Sequence, residues 1–247
     1  MNCVLFIHGF LSDHHDFDAI IPYLSLKYHH LELLDLPGHG PSFGDGNFEV
    51  EKTLDFVLEI YDKLFVKYKT IDVFGYSMGG ALAYYLAIKR KINKLILLAP
   101  ACKYFNFRLP FSRIKNYLRL RKSLNLAKEN NDVNEINSLQ EKIENIKIDD
   151  NITFKFIKEH YLTIKFPIYF LTFRKLIKEI NKEPLPINTP TLLLYGEIDQ
   201  IIPKASITYL SSLCRNSKVI IYDDVCHLML LANDCTKIIN DILDFLE

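Results

Sequence analysis

The sequence carries no surplus of charge: 30 Lys+Arg balance 30 Asp+Glu over 247 residues. That neutrality removes the bulk attraction by which chains bind nucleic acid or coat anionic membranes. Long hydrophobic runs are missing as well. The segment MNCVLFIHGF has no basic region ahead of its apolar run, which is strand-length and stops at His8 and Gly9. Neither a signal peptide nor a membrane-spanning helix is expected, and hence no integral membrane association. Five cysteines, at 3, 102, 214, 226 and 235, form no Cys-x-x-Cys pair. Their odd number and spacing argue against a disulfide framework and a zinc site and fit reduced thiols in a cytoplasm. Glycine is scarce, nine in all, yet Gly75, Gly79 and Gly80 crowd around Ser77. No repeat or low-complexity tract breaks the chain.

What is present is an alternation. With 49% hydrophobic and 24% charged residues, the length suits one large α/β domain, or a domain with an insertion. Continuous apolar runs at 3–8, 31–35, 71–75, 94–99, 191–195 and 218–222 read as parallel strands buried on both faces. Helical periodicity fills 17–27, 50–68, 77–90, 204–213 and 234–246; Leu54, Val57, Leu58, Tyr61, Leu64 and Phe65 make one apolar stripe. A β-α-β-α order of this kind predicts a doubly wound, mostly parallel six-stranded sheet with helices on both faces.

Between the fourth and fifth of these strands the alternation stops. Residues 101–185 hold helix-like segments and no convincing strand, which predicts a helical cap inserted into a core of 1–100 and 186–247. The insertion contains 17 Lys+Arg and 10 Asp+Glu, so it is basic and the remainder acidic. Arg108, Arg113, Lys115, Arg119, Arg121 and Lys122 cluster early in it. A solvated helix face explains them; attraction of anionic substrates or transient contact with lipid head groups is the functional alternative.

Ser77 sits where strand 71–75 runs into helix 77–90 with almost no loop. A turn that sharp brings the residues two before and two after the serine together, and only small ones fit, here Gly75 and Gly79. This is the G-x-S-x-G nucleophile elbow, which lifts a hydroxyl above the carboxyl ends of the strands. A serine needs a base and an acid to orient that base, and on such a sheet they follow in the order serine, acid, histidine. Among eight histidines, His227 alone lies between the last strand and the final helix. Asp199 follows strand 191–195, with Glu197 its nearest rival. An acid after strand 94–99 is disfavoured because the first carboxylate beyond Ala99 is Glu129, and Asp223 and Asp224 lie too near His227 in sequence. The backbone N–H groups of Met78 and Phe10 are the candidate oxyanion donors. His8 suits a loop-bracing role, Asp35 and His39 brace the turn in LDLPGHGPS, and His14 and His15 resemble a metal pair only superficially. No metal or organic cofactor is called for.

FIHGF, DLPGHGPS, GYSMGG, YGEIDQIIP and the Cys-His of His227, in this order, resemble the α/β-hydrolase superfamily over nearly the whole length. The resemblance implies a Ser77–Asp199–His227 triad, an oxyanion hole at Phe10 and Met78, and a cap formed by the insertion. Members usually begin with two further strands, so a reduced sheet is expected here. The stretch from HGFLSDHHDF to FGYSMGG also looks like the menaquinone-pathway synthase branch, which eliminates pyruvate; that branch follows the double glycine with an arginine where this chain has Ala81. Carboxylesterases and monoacylglycerol-lipase-like hydrolases are the remaining match. The expectation is a serine hydrolase acting on small-molecule carboxylic esters of small to medium apolar acyl groups. A pyruvate-eliminating lyase and a non-catalytic ligand-binding protein are the alternatives.

Overall fold

A computed structural model describes residues 1–103, 119–120, 122–124, 126–128, 132–140, 165–199, 201–231 and 234–247. Contacts divide the chain into one unit of Met1–Phe105 with Ile168–Glu247 and a second of Asn106–Pro167. The first unit holds the sheet. In the second, described residues 119–120, 122–124, 126–128 and 133–140 are helical. Arg119 and Lys122 are exposed there, whereas Arg108, Arg113, Lys115 and Arg121 lie outside the described residues.

Six strands, β1 (Asn2–Ile7), β2 (His30–Leu33), β3 (Thr70–Tyr76), β4 (Leu95–Leu98), β5 (Thr191–Gly196) and β6 (Ser217–Tyr222), pair in the order β2-β1-β3-β4-β5-β6, all parallel. The central strands β4 and β5 are buried throughout, as their unbroken apolar sequences require. The edge strands β2 and β6, apart from buried Tyr222, are half-buried or exposed and carry His30, Glu32 and Lys218. Helices α1 (Ile21–Leu24), α2 (Val50–Lys67), α3 (Met78–Lys89), α4 (Phe166–Ile180), α5 (Lys204–Leu213) and α6 (Thr236–Leu246) flank the sheet. No helix among the described residues is long and apolar enough to cross a membrane.

Side chains alternate across a strand. On one face Val4, Phe6, Phe74, Ile96, Leu98, Leu192 and Leu194 pack with Phe17, Ile20 and Leu24 and with Ile238, Ile239, Ile242 and Leu246 of α6. The intervening residues point to the face against which α3 packs on β1, β3 and β4. Helix α4 buries Tyr169, Phe173, Leu176, Ile177 and Ile180 at helical spacing, which keeps it with the first unit.

Two expectations need correction. A helix over 17–27 does not form; the chain makes a 3₁₀ turn at His14–Phe17 and then the single turn α1. Pro22 is the reason. It lacks an N–H and clashes with the carbonyl four residues earlier, so it fits only in a first turn, where α1 places it. The stripe on α2 is also narrower than expected: Leu54, Val57, Tyr61 and Leu64 are buried, Leu58 is half-buried, and Phe65 is exposed while stacking on Tyr61 with centroids 6.0 Å apart.

Because β2 and β3 lie on opposite sides of β1, the connections leaving β1 and β3 diverge and open a crevice at their carboxyl ends. Glycines let α3 start inside that crevice. A Cβ on Gly79 would lie 1.9 Å from the Ile7 carbonyl oxygen, and one on Gly75 would lie 2.5 Å from that of Gly79.

Gly79→Ala should therefore destabilise the fold by more than about 3 kcal/mol, the upper end of ordinary overpacking, or abolish soluble expression. Gly46→Ala is the control: its Cβ meets nothing within 4 Å although φ is +86°, so its cost should stay near 1–2 kcal/mol, roughly that of a left-handed L residue. Thermal melts of the two variants check the contrast; equal melting temperatures would contradict it.

Candidate active site

Strand β3 ends at Tyr76 and α3 begins at Met78, which leaves Ser77 as the whole connection. Its backbone has φ 52° and ψ −113°, a conformation L residues hold only when their surroundings impose it. Those surroundings are visible. The Ser77 N–H donates to the Leu98 carbonyl at 2.9 Å, while the Ser77 carbonyl accepts from Gly80 N–H at 3.0 Å and Ala101 N–H at 2.9 Å. Met78 opens the helix, so its N–H has no acceptor within α3 and lies at the positive end of the helix dipole.

Asp199 leaves β5 through a tight turn in which its N–H donates to Gly196 O at 3.0 Å. Its Oδ1 accepts from the N–H groups of Ile201 at 2.8 Å and Ile202 at 2.9 Å. That leaves Oδ2 to face Nδ1 of His227 at 2.7 Å, and Nε2 of His227 stands 3.1 Å from Ser77 Oγ. The Asp199 side chain is fully buried and that of His227 is 10% exposed. A carboxylate only accepts, so the ring proton sits on Nδ1 and the Nε2 lone pair points at the serine hydroxyl. The sequence places these three residues 150 and 28 positions apart, and the structure brings them into one hydrogen-bonded line. Glu197 is not in it: exposed, it accepts from Lys204 Nζ at 2.9 and 2.8 Å. Asp223 and Asp224 are exposed in a turn.

Two residues that the sequence reading passed over hold the histidine loop. Tyr76 donates its hydroxyl to the His227 carbonyl at 2.9 Å and stacks on the imidazole, centroids 5.4 Å apart. Gly196 lets that loop close over the end of β5, since a Cβ there would lie 2.0 Å from Val225 O. The glycine after the tyrosine in YGEID was the available signal for this approach.

On the other side of the elbow is the loop after β1. The Gly9 N–H donates to Asp16 Oδ2 at 2.8 Å, and Ser12 Oγ–H donates to Asp16 Oδ1 at 2.6 Å. Between them Leu11 is buried with φ 60°. Burial raises the Asp16 carboxyl to about 6, against the pull of these two hydrogen bonds. Phe10 is half-buried, and its ring stacks on Phe173 of α4 at 4.8 Å. His39, Phe48 and Tyr169 continue this aromatic surface. Tyr169 also donates to Gly38 O at 2.7 Å and accepts from Gly44 N–H at 2.8 Å, tying α4 to the loop after β2.

His8 is a brace. Its Nε2 accepts from Leu36 N–H at 2.9 Å, so its Nδ1 carries the proton and donates to Gly9 O at 2.7 Å. Burial pushes its pKa down to about 4, which keeps the ring neutral. Asp35 accepts from both the backbone N–H and the ring of His14, and His39 donates to Pro37 O at 3.1 Å. Asp13, His14 and His15 bring ligand-capable atoms within 4.8 Å of one another, but Asp35 and Asp18 already hold the two Nδ1 atoms, and we assign no metal there. Ala81, at the position where the pyruvate-eliminating branch carries arginine, is fully buried.

A family model described as alpha/beta hydrolase fold matches residues 2–234. A pimeloyl-[acyl-carrier protein] methyl ester esterase of Neisseria meningitidis serogroup C is 34% identical over 98 residues, 39% of this chain and only 36% of that relative's length. The protein of the same description from Legionella pneumophila (strain Lens) is 27% identical over 239 residues, 94% of this chain and 90% of the relative. Among solved structures, an esterase from Exiguobacterium antarcticum superposes with a TM-score of 0.66 at 17% identity, covering 100% of this chain and 92% of that one. At that identity the likeness speaks for the fold alone.

The neutral His8 sets a pH dependence. Its folded pKa lies below the ordinary 6.5, so its contribution to stability is complete above that pH and is lost as pH falls from about 6.5 towards 4. Relative to a non-titrating His8→Gln variant, the wild type should lose stability across that interval, read from urea unfolding at each pH. A difference that stays flat from pH 7 to 4 would contradict the assignment.

Proposed function

The chain belongs to the alpha/beta hydrolase fold family, and we propose that within it the protein is a serine hydrolase of carboxylic esters. The observation that carries the proposal is the line Ser77 Oγ, His227 Nε2, His227 Nδ1, Asp199 Oδ2, with contacts of 3.1 and 2.7 Å. Its serine stands at a strained turn on a helix N-terminus. The full-length similarity to an esterase of Legionella pneumophila supports the same reaction class.

In this reading Ser77 Oγ attacks the acyl carbon as its proton passes to Nε2 of His227. The tetrahedral oxyanion takes hydrogen bonds from the N–H groups of Met78 and Phe10, charge that the α3 dipole also favours. Collapse breaks the bond to the alkoxy group, which leaves as the alcohol with the proton from Nε2. Water then attacks the acyl-serine, His227 again takes the proton, and the carboxylic acid departs as Ser77 recovers its hydrogen. Asp199 stabilises the imidazolium formed twice in the cycle. Its other oxygen, Oδ1, accepts from both Ile201 and Ile202 N–H, which fixes the direction from which Oδ2 holds Nδ1.

Substrate class follows from what surrounds the oxyanion loop. Half-buried Phe10, backed by the buried rings of Phe48 and Phe173, gives the loop an aromatic character that we take to suit an acyl chain of small to medium length.

Ser77→Ala removes a hydroxyl from a turn that its glycines hold, so folding should survive while kcat falls on the order of a million-fold. Asp199→Asn should be severe and Glu197→Gln mild; the reverse ranking would transfer the acid's role to Glu197. These are read as initial rates on p-nitrophenyl butyrate, with labelling of Ser77 by a fluorophosphonate as the independent check.

Each buried methylene contributes about 0.8 kcal/mol, so going from acetyl to butyryl esters should raise kcat/KM roughly tenfold or more. Methyl esters of the same acids test the small leaving group named for the relatives. A rate that falls steadily with acyl length would remove the apolar acyl surface from the proposal.

A further inference from the structure

The residues that place the base are tied down by the fold itself, whereas the loop that bears Phe10 leaves β1 and must be held from outside. That loop contains Leu11, a non-glycine residue at φ 60°, a conformation costing roughly 1–2 kcal/mol for an L residue. Leu11 is buried at 1% exposure, so packing holds its side chain, but packing alone does not fix the direction of the Phe10 peptide. One carboxylate holds both sides, the backbone before and a side chain after: Asp16 accepts from Gly9 N–H at 2.8 Å through Oδ2 and from Ser12 Oγ–H at 2.6 Å through Oδ1. The two bonds bracket Phe10 and Leu11.

Asp16 is itself rigidly presented. It lies on the 3₁₀ turn His14–Phe17, which Asp13 caps by accepting from His15 N–H at 3.0 Å. The next residue, Phe17, is fully buried against Phe6 with centroids 4.9 Å apart. The Gly9 Cα faces the same carboxylate: a Cβ there would lie 3.3 Å from Asp16 Oδ2 and 3.3 Å from the Tyr76 ring. A buried carboxyl is costly to keep in an apolar surrounding. A position that faces solvent on neither side and bridges two loop atoms is therefore explained by what it holds.

We propose that Asp16 is the positioning residue of the oxyanion loop, clamping Gly9 and Ser12 so that the Phe10 N–H is set towards the oxyanion formed on the Ser77 adduct. The assignment rests on the serine-hydrolase reading and deepens it. Asp16 touches no reacting atom. Its effect passes through the backbone of Gly9 and Phe10 and falls on the transition state, where the oxyanion exists, and not on substrate binding.

The test is a set of four variants assayed on p-nitrophenyl butyrate, with kcat expressed per active site titrated by fluorophosphonate. Asp16→Ala removes both bonds and should lower kcat about 10- to 100-fold, less than loss of a whole oxyanion donor, with KM within about twofold. Asp16→Asn keeps an acceptor for Gly9 N–H and offers an N–H to Ser12 Oγ, so it should restore kcat to within about fivefold of wild type. Ser12→Ala removes one arm and should cost about threefold or more in kcat, and in the Asp16→Ala background it should add nothing. Ser12→Ala deletes only a half-buried hydroxyl, so it reads the clamp even where Asp16→Ala fails to fold. An Asp16→Ala enzyme within twofold of the wild-type kcat, a Ser12→Ala enzyme with unchanged kcat, or additive losses in the double variant would overturn the proposal. Wild-type protein that turns over no ester and takes no fluorophosphonate would sink the hydrolase reading and the clamp with it, an outcome distinct from an active enzyme indifferent to Asp16.

Discussion

Ser77 is forced into a positive-φ conformation because three strands and a helix converge on one residue. Its N–H is bound to β4, its carbonyl to the segment after β4, and the helix that follows starts against the carbonyl of Ile7 at the end of β1. None of these contacts leaves room for a side chain at 75, 79 or 80, where an added Cβ would lie within 2.7 Å of its nearest neighbour. The strain at Ser77 is thus a consequence of sheet closure, and the sheet's packing sustains it. The placement of this buried hydroxyl at the strand ends follows from the same convergence.

From that point the proposed acid and base are separate problems with one solution. A histidine near a serine is inert as a base unless its tautomer is chosen, and the choice is made by a carboxylate with no other freedom. Asp199 is held this way: two backbone N–H groups occupy Oδ1, which turns Oδ2 towards Nδ1 of His227. His8 shows how different surroundings disarm the same side chain. Its two nitrogens face a backbone acceptor and a backbone donor, and burial drives its pKa down to about 4. A base needs a free lone pair aimed at a proton, and of these two rings only His227 has it.

Continuity of the apolar runs made the sheet legible in the sequence: β4 and β5 need cover on both faces, and alternation with helices predicted parallel strands, whereas the order β2-β1-β3-β4-β5-β6 is seen only in the folded sheet. The elbow was legible because glycine spacing encodes a steric requirement directly. His227 and Asp199 were candidates by position because strand ends are where an α/β sheet presents side chains, and the fold brings both within hydrogen-bond reach of each other and of Ser77. What escaped notice depends on contacts between distant segments. Asp16 lies in HHDF, where nothing distinguishes it from Asp13 or Asp18; only the folded loop shows which of the three is buried beside Gly9. Tyr76 reads as one more apolar residue of β3 until its hydroxyl is found on a carbonyl 151 positions away. The helix expected over 17–27 fails on Pro22, which fits only the first turn of a helix.

These contacts also divide the labour between stability and chemistry. The glycines and the strand core fix where Ser77 is, at a cost the whole sheet shares. The loops that must meet it are each attached to this hub by few polar bonds: His227 through Tyr76 and Asp199, and Phe10 through Asp16. One such hydrogen bond contributes on the order of 1 kcal/mol against a net stability of roughly 5–15 kcal/mol, so loss of a single bond can leave the sheet folded while moving a reacting group by a fraction of an ångström. Displacements of that size matter to a transition state far more than to a fold. On the proposed hydrolase reading, the buried polar groups around the elbow, Asp16 and Tyr76 among them, are therefore where sequence change separates activity from stability, whereas at Gly75, Gly79 and Gly80 the two fail together.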